Sequence, residues 1–531
     1  MRKVIIILLA VFVLSSCFSP WEGDKPDSGS ITVGIGSSAG GRSVEWAPDE
    51  STYKSWNHEI IVRSKNSSAI YEGEITPSAS IFSLTFDNIP NGSYDVEVWA
   101  RSPSAAGNDL MAVGRTSVTV AGSAINANVQ MRPPVYIPPN QYAQNRYIYW
   151  DGEPFTAEIH PLIIENYDFL TMGLTNSGFA PMETHLPPFS SSNIPFSLSL
   201  VSASDYGDNI YIELLCIGYT NPLKSNVIKL WRPIDNSTIP SGLTLLNDYI
   251  VTDDLTLTLW APKDLASSCT FDGNGKTISI DSFSIASILQ IGLFGTNNGT
   301  IKNIKFNSDV SLSGSFSGFG TAAGMNNGTI ENVSNMADII IDTSSALCVG
   351  GIAGTNNGII KNCYYDGDID VTESVVSPFI QTGGIAGRND NQILNCWASG
   401  SKVSINSLAF NNMGGIAGSS SDLIENCVAL QTELELVTGS GDIARIATAN
   451  GSLYSNNYVN EDMILNYNGS HAVAGPGPEN DESTPLSSMG NVTWWMTSGV
   501  GWANASIDAW GGTEDKPWMW GSGRPVLWFE N

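Results

Sequence analysis

Three cysteines, Cys363, Cys396 and Cys427, recur at intervals of 33 and 31 residues. Thiols at one repeating position could hold a soft metal or form disulfides. Stacked on successive turns of a repeat they would stand about 4.8 Å apart, beyond ideal disulfide spacing, and three is an odd number. Cysteine also packs as a small hydrophobe, and we read the column that way. A second group is acidic: Asp309, Asp338, Asp342, Asp368, Asp370, Glu433 and Glu435 fall on the outward parity of alternating strands. The densest part, Asp338, Asp342, Asp368 and Asp370, is a candidate face for weak calcium or another ligand, since calcium accepts six to eight oxygens in irregular geometry. A solvated acidic face is the alternative. Asp366, Asp368 and Asp370 also have the spacing of a calcium loop, but Val371 and Ser377 stand where an EF-hand requires Gly and Glu. The four histidines, His58, His160, His185 and His471, show no zinc-ligand spacing, so no cofactor is assigned.

What must position these groups is a repeat. Gly295, Gly324, Gly354, Gly387 and Gly418 sit in near-copies such as "GGIAGTNNGIIKNC" (350–363) and "GGIAGRNDNQILNC" (383–396). Six residues after each glycine stands Ile301, Ile330, Ile360, Ile393 or Ile424. Eight after it stands Asn303, Asn332, Asn362, Asn395 or Asn426. Nine after it come Ile304, Val333 and then the three cysteines. A later strand pairs Val310 with Leu312, Ile339 with Ile341 and Ile369 with Val371 on one parity. No single copy can bury these faces, whereas stacking turns each column into a ladder within a continuous core. The change of parity between the sixth and ninth positions predicts a corner at the asparagine. There the side chains stack and bond the neighbouring turn's backbone, although a polar ligand rail would use the same residues.

The copies resemble the GLUG motif of bacterial surface proteins, and "FDGNGKTISI" (271–280) resembles the first turn of such proteins. The likeness covers about residues 243–460 and implies a parallel solenoid in adhesins and other secreted proteins, with no catalysis by the repeat itself. This chain has Ile or Ala where the motif often has Leu and an aromatic residue. The acidic face has a parallel in the β-helical polysaccharide lyases, which add a basic residue to their carboxylates; Lys402 is the one such residue on this face. Seven tryptophans lie between Trp494 and Trp528. They could stack on sugar rings, but tails of this kind close other GLUG-repeat proteins, and we expect a cap over the open end of the solenoid.

Arg2 and Lys3 precede an apolar run, Val4 to Leu14, too short to span a bilayer. It ends in Leu14-Ser15-Ser16-Cys17, which resembles a bacterial lipobox and implies acylation of Cys17. Phe18 follows rather than the aspartate of inner-membrane retention, so outer-membrane placement facing the exterior is expected. Acidic residues outnumber basic ones 52 to 24, a formal charge of −28, which disfavours nucleic acid as a partner. Charged residues make up only 14% of the chain and glycine is abundant, which suits an all-β protein rich in turns.

The sequence therefore predicts a signal peptide (1–16), a tether (17–29) and a β-sandwich of prealbumin-like or immunoglobulin-like type (30–132). A second β-rich, immunoglobulin-like domain (133–240), a right-handed parallel β-helix or solenoid of about seven turns (241–470) and the Trp-rich cap (471–531) follow. The clearest sandwich strand holds Tyr94, Val96 and Val98 at period two after the turn Ile89-Pro90-Asn91-Gly92. The expected function is display at the cell surface, tethered to the membrane by lipid and binding a glycan or protein. A carbohydrate-active enzyme on the same β-helix and a purely structural envelope component are the alternatives.

Overall fold

A computed structural model describes residues 28–35, 55–76, 83–104, 107–137, 146–148, 154–176, 183–185, 193–197, 209–217, 221–225, 228–239, 244–284, 289–345, 347–373, 379–449, 454–472, 481–504 and 506–530. Cys17 and the rest of the N-terminal segment lie outside them. The chain divides into two compact units, residues 1–229 and 230–531.

In the first unit, a sheet of Ile70–Ile75, Asn57–Ser64, Gly92–Ser104 and Gly107–Val120 is wholly antiparallel. A second sheet holds Ser83–Pro90, Ser28–Ile35 and Ala124–Val129. The two close on a common core in which Tyr94, Val96 and Val98 are buried together with Ile31, Val33 and Ile60. The period-two reading of that strand therefore holds. Beyond the sandwich, Asn209–Cys216 pairs antiparallel with Phe169–Asn176 and with Ile228 and Lys229.

The second unit is a parallel β-solenoid, and its columns are those of the sequence. On one face, eight short strands stack in chain order, from Thr244–Leu245 and Lys263–Leu265 through Phe294–Asn297 to Ala447–Ala449. The first two belong to short turns, and six full turns follow. Ala323, Ala353, Ala386, Ala417 and Ala447 are in register along this face. The next face carries the ladder Ile301, Ile330, Ile360, Ile393 and Ile424, all fully buried. The third is the alternating face, which includes Val310–Gly314, Ile339–Thr343, Ile369–Glu373, Lys402–Gly414 and Glu433–Ala444.

The motif glycine is required by close approach. A Cβ on Gly387 would lie 2.4 Å from the Val349 amide nitrogen, and one on Gly354 would lie 2.5 Å from the Gly324 carbonyl oxygen. No side chain fits where the chain folds back so tightly on the preceding turn. The asparagine corner is equally specific. Asn303, Asn332, Asn362, Asn395 and Asn426 all have φ between 54° and 57°, the left-handed region that asparagine tolerates best after glycine. One left-handed residue there lets Ile360 and Cys363 both point inward although they are three apart.

Candidate functional site

The corner asparagines bond one another more than the backbone expected from the sequence. Asn332 donates to Asn303 at 3.1 Å, Asn395 to Asn362 at 3.2 Å and Asn426 to Asn395 at 3.2 Å. A second, deeper ladder comes from the first asparagine of the Asn-Asn-Gly turn. Asn297 donates to Asn326, Asn326 to Asn356 and Asn356 to Asn389 at 2.7–2.8 Å, and Asn389 donates to Ser420 at 3.0 Å. The sequence analysis gives this asparagine no role of its own. Its recurrence two residues after the motif glycine was the available signal. The deeper ladder is satisfied internally, whereas the corner rail breaks between Asn332 and Asn362, where Asn332 Oδ1 receives no hydrogen bond from a described residue.

Cys363, Cys396 and Cys427 are free thiols with no exposure. Each Sγ lies 3.2–3.3 Å from the carbonyl oxygen two residues earlier. Burial pushes the Cys396 and Cys427 thiols well above the usual range, so they stay protonated. The reading of the column as small buried hydrophobes holds.

The carboxylates lie on the alternating face in separate rows. Asp309 accepts the backbone N–H of Asp338 at 2.9 Å, and Asp338 accepts that of Asp368 at 2.9 Å. Asp368 accepts from the amides of Ser401 and Lys402 at 2.7 and 2.9 Å, and from the Ser401 hydroxyl. Asp338 and Asp368 thus belong to a ladder that ties each turn to the next. Asp370 lies between Ile340 and Ser404 and accepts the Ser404 hydroxyl at 2.8 Å. Asp342 lies on a further row, between Ser313 and Thr372. Of the four predicted residues, the structure brings two together and sets two apart. Among the described residues, no group of three or more His, Cys, Asp or Glu side chains converges on a metal-sized point. Lys402 is ion-paired with Glu435, and that contact raises its pKa, so it favours a fixed charge over a catalytic base.

The Trp-rich tail does not sit over the end of the solenoid, where the sequence reading put it. It lies along the flank of the same unit. Asn456 donates to the Val500 carbonyl, Trp502 donates to that of Asn426, and Glu530 accepts from Ser334 and Tyr364. Lys302 and Asn303 bond Glu514, and Phe529 packs on Gly275. The tail therefore reaches from the turn of Gly275 to that of Asn456. Its rings bury an outward row, Tyr364, Trp397, Val428 and Tyr458, beneath Trp494, Trp495, Trp502 and Trp518. Tyr364 and Trp397 stack at 4.4 Å, and Trp502 and Trp518 at 4.6 Å. Trp495, Trp502 and Trp518 are fully buried, so their faces are closed to a sugar ring. At the far end, the last turn is extended by Asp481–Thr484, parallel to Asn457–Asn460, and by the antiparallel pair Ile464–Tyr467 and Ser470–Ala472.

In the first unit, His58 and His160 are buried, and burial lowers both to about 4. His160 Nδ1 accepts the Leu162 amide at 3.2 Å and caps the helix Pro161–Asn166, a role that needs the neutral ring. No helix among the described residues is long and apolar enough to cross a membrane.

No family model and no curated protein matches the chain. Among solved structures it is similar to a "putative immunoglobulin A1 protease" from Bacteroides ovatus, at 21% identity over 56% of this chain and 89% of that one, with a TM-score of 0.40. It is also similar to a fimbrial assembly protein from Parabacteroides distasonis, at 10% identity over 38% of this chain and 88% of that one, with a TM-score of 0.16. A DUF3823 family protein from Parabacteroides merdae matches at 10% identity over 39% and 99%, with a TM-score of 0.15.

Proposed function

We propose that the protein is a GLUG-type lipoprotein of a bacterial cell envelope, tethered through an acylated Cys17, whose solenoid presents binding surface away from the membrane. The observation that carries this reading is the segment Arg2 to Cys17: a basic start, a short apolar run and Leu14-Ser15-Ser16-Cys17. Lipoprotein processing supplies more than one acyl chain, which stable anchoring requires. The fold is consistent with display. Inward columns build the core, the asparagine ladders tie turn to turn, and the alternating face is left as outward surface. The ligand class in this reading is a protein or glycan met outside the cell.

The test uses the full chain and its Cys17→Ala variant, expressed in a bacterium that processes lipoproteins. Wild type should partition into detergent with an acylated N-terminal peptide of matching mass, and the variant should be unacylated and lost from the membrane fraction. A variant that still partitions with membranes would falsify the anchor. Capture of a ligand from a glycan and matrix-protein array by the detergent-solubilised full chain is the expected outcome for the binding half. An array with no captured ligand counts against it.

A further inference from the structure

We propose that the outward surface of the alternating face docks a basic polypeptide segment that carries apolar side chains. This rests on the display reading and names the class of partner for it. Every charged side chain on Ile339–Thr343, Ile369–Glu373, Lys402–Gly414 and Glu433–Ala444 is a carboxylate except Lys402. Lys402 is neutralised by Glu435, so Asp370, Glu433 and Asp442 leave the face with an acidic excess.

The same strands expose large apolar groups. Leu408 is 69% exposed, Phe410 46% and Val437 38%. In the turns of Val310–Gly314 and Ile339–Thr343 the strand ends and a separate one follows, Gly318–Gly320 or Leu347–Gly350. Lys402–Gly414 and Glu433–Ala444 instead run on continuously, and their register slips between Ile405 and Phe410. Leu408 and Phe410 continue the outward parity of Asn406, and Val437 continues that of Glu433 and Glu435. Phe410 stacks on Phe379 of the preceding turn, with ring centroids 6.1 Å apart and planes 2° from parallel. The Ser407 hydroxyl donates to Glu373, which sets a carboxylate beside this ridge, and Glu435 lies two residues from Val437.

Clustered apolar groups on an outward surface mark a contact site more often than a solvated one. The chemistry of the surround selects the occupant. Anionic lipid, nucleic acid and a second copy of this chain are each repelled by carboxylates. A glycan gains little from Leu408 and Val437. A polypeptide with cationic and apolar side chains satisfies both features.

The test measures fluorescence anisotropy of a labelled twelve-residue peptide of alternating Lys and Leu against the full chain in detergent. Comparison peptides alternate Lys with Ser and Glu with Leu. The Lys/Leu peptide should bind best, and binding should weaken as salt rises. Leu408→Ser/Phe410→Ser and Asp370→Asn/Glu433→Gln should each weaken it about tenfold, with melting temperatures unchanged. Equal binding of the Lys/Ser peptide, or wild-type affinity in both variants, overturns the proposal. So does loss of peptide binding in millimolar calcium at constant ionic strength, which would make the face a cation site. If the array captures a ligand that both variants still bind, this face is excluded while the display reading stands.

Discussion

Asn356 and Asn362 lie six residues apart in one copy of the repeat and meet opposite demands. Asn362 sits at φ 54° and holds the corner. Asn356 is extended and fully buried; it donates to Asn389 and the Gln392 carbonyl and accepts from Asn326 and the Gly358 amide. Alanine at 362 keeps a β-carbon in the left-handed region without the polar side chain that lets asparagine tolerate it, at about 1–2 kcal/mol, and glycine relieves that strain. Alanine at 356 strands buried partners at about 1–3 kcal/mol each, and glycine adds about 0.5–1 kcal/mol of backbone entropy. Urea denaturation should therefore rank Gly above Ala at 362 and Ala above Gly at 356. The same ranking at both positions would contradict the assignment of corner and rail.

At the scale of elements, the cysteine column reports the strand register. Cys363, Cys396 and Cys427 point into the core, whereas Cys348 lies on an outward position, partly exposed, with its Sγ 3.3 Å from Gln381 Oε1. Burial raises the Cys348 thiol too, so exposure should set the order of reaction. With iodoacetamide in native buffer, Cys348 should be modified first, and the three column cysteines only once denaturant opens the turns. Peptide mass spectrometry reads this directly; equal rates for all four would mean the column is not core. The sequence made this element legible because identical residues at one offset in five copies imply a ladder, and the parity change located the corner. It did not disclose the rows of the acidic face. Asp342 and Asp370 share a parity but stand three residues and one residue after their strand starts, Ile339 and Ile369, so stacking sets them on different rows. Only register, not parity, decides which carboxylates meet.

On the scale of the whole second unit, the tail alters what a solenoid ordinarily is. Stacked turns touch only their neighbours, so such an array frays from its ends and its turns differ in stability. Here residues 500–530 bond turns from Lys302 to Asn456 and bury four outward side chains under tryptophan. The sequence could not place this, because the outward row of Tyr364, Trp397, Val428 and Tyr458 follows no common residue type and its partner lies far along the chain. A lateral brace couples turns that would otherwise open independently. Trp518, fully buried against Tyr364 and Trp502, is its hinge in packing terms, and Trp518→Ala should cost about 3–5 kcal/mol if the site does not collapse. Native-state hydrogen exchange is the decisive measurement. In the wild type, the amides of Ile301, Ile360 and Ile424 should open with nearly the same free energy, as one cooperative block. In Trp518→Ala, Ile424 and Ile301 should exchange through smaller openings than the central Ile360. Should the wild type already show that gradient, and the variant leave it unchanged, the tail is a passive cover and the turns answer only to their neighbours.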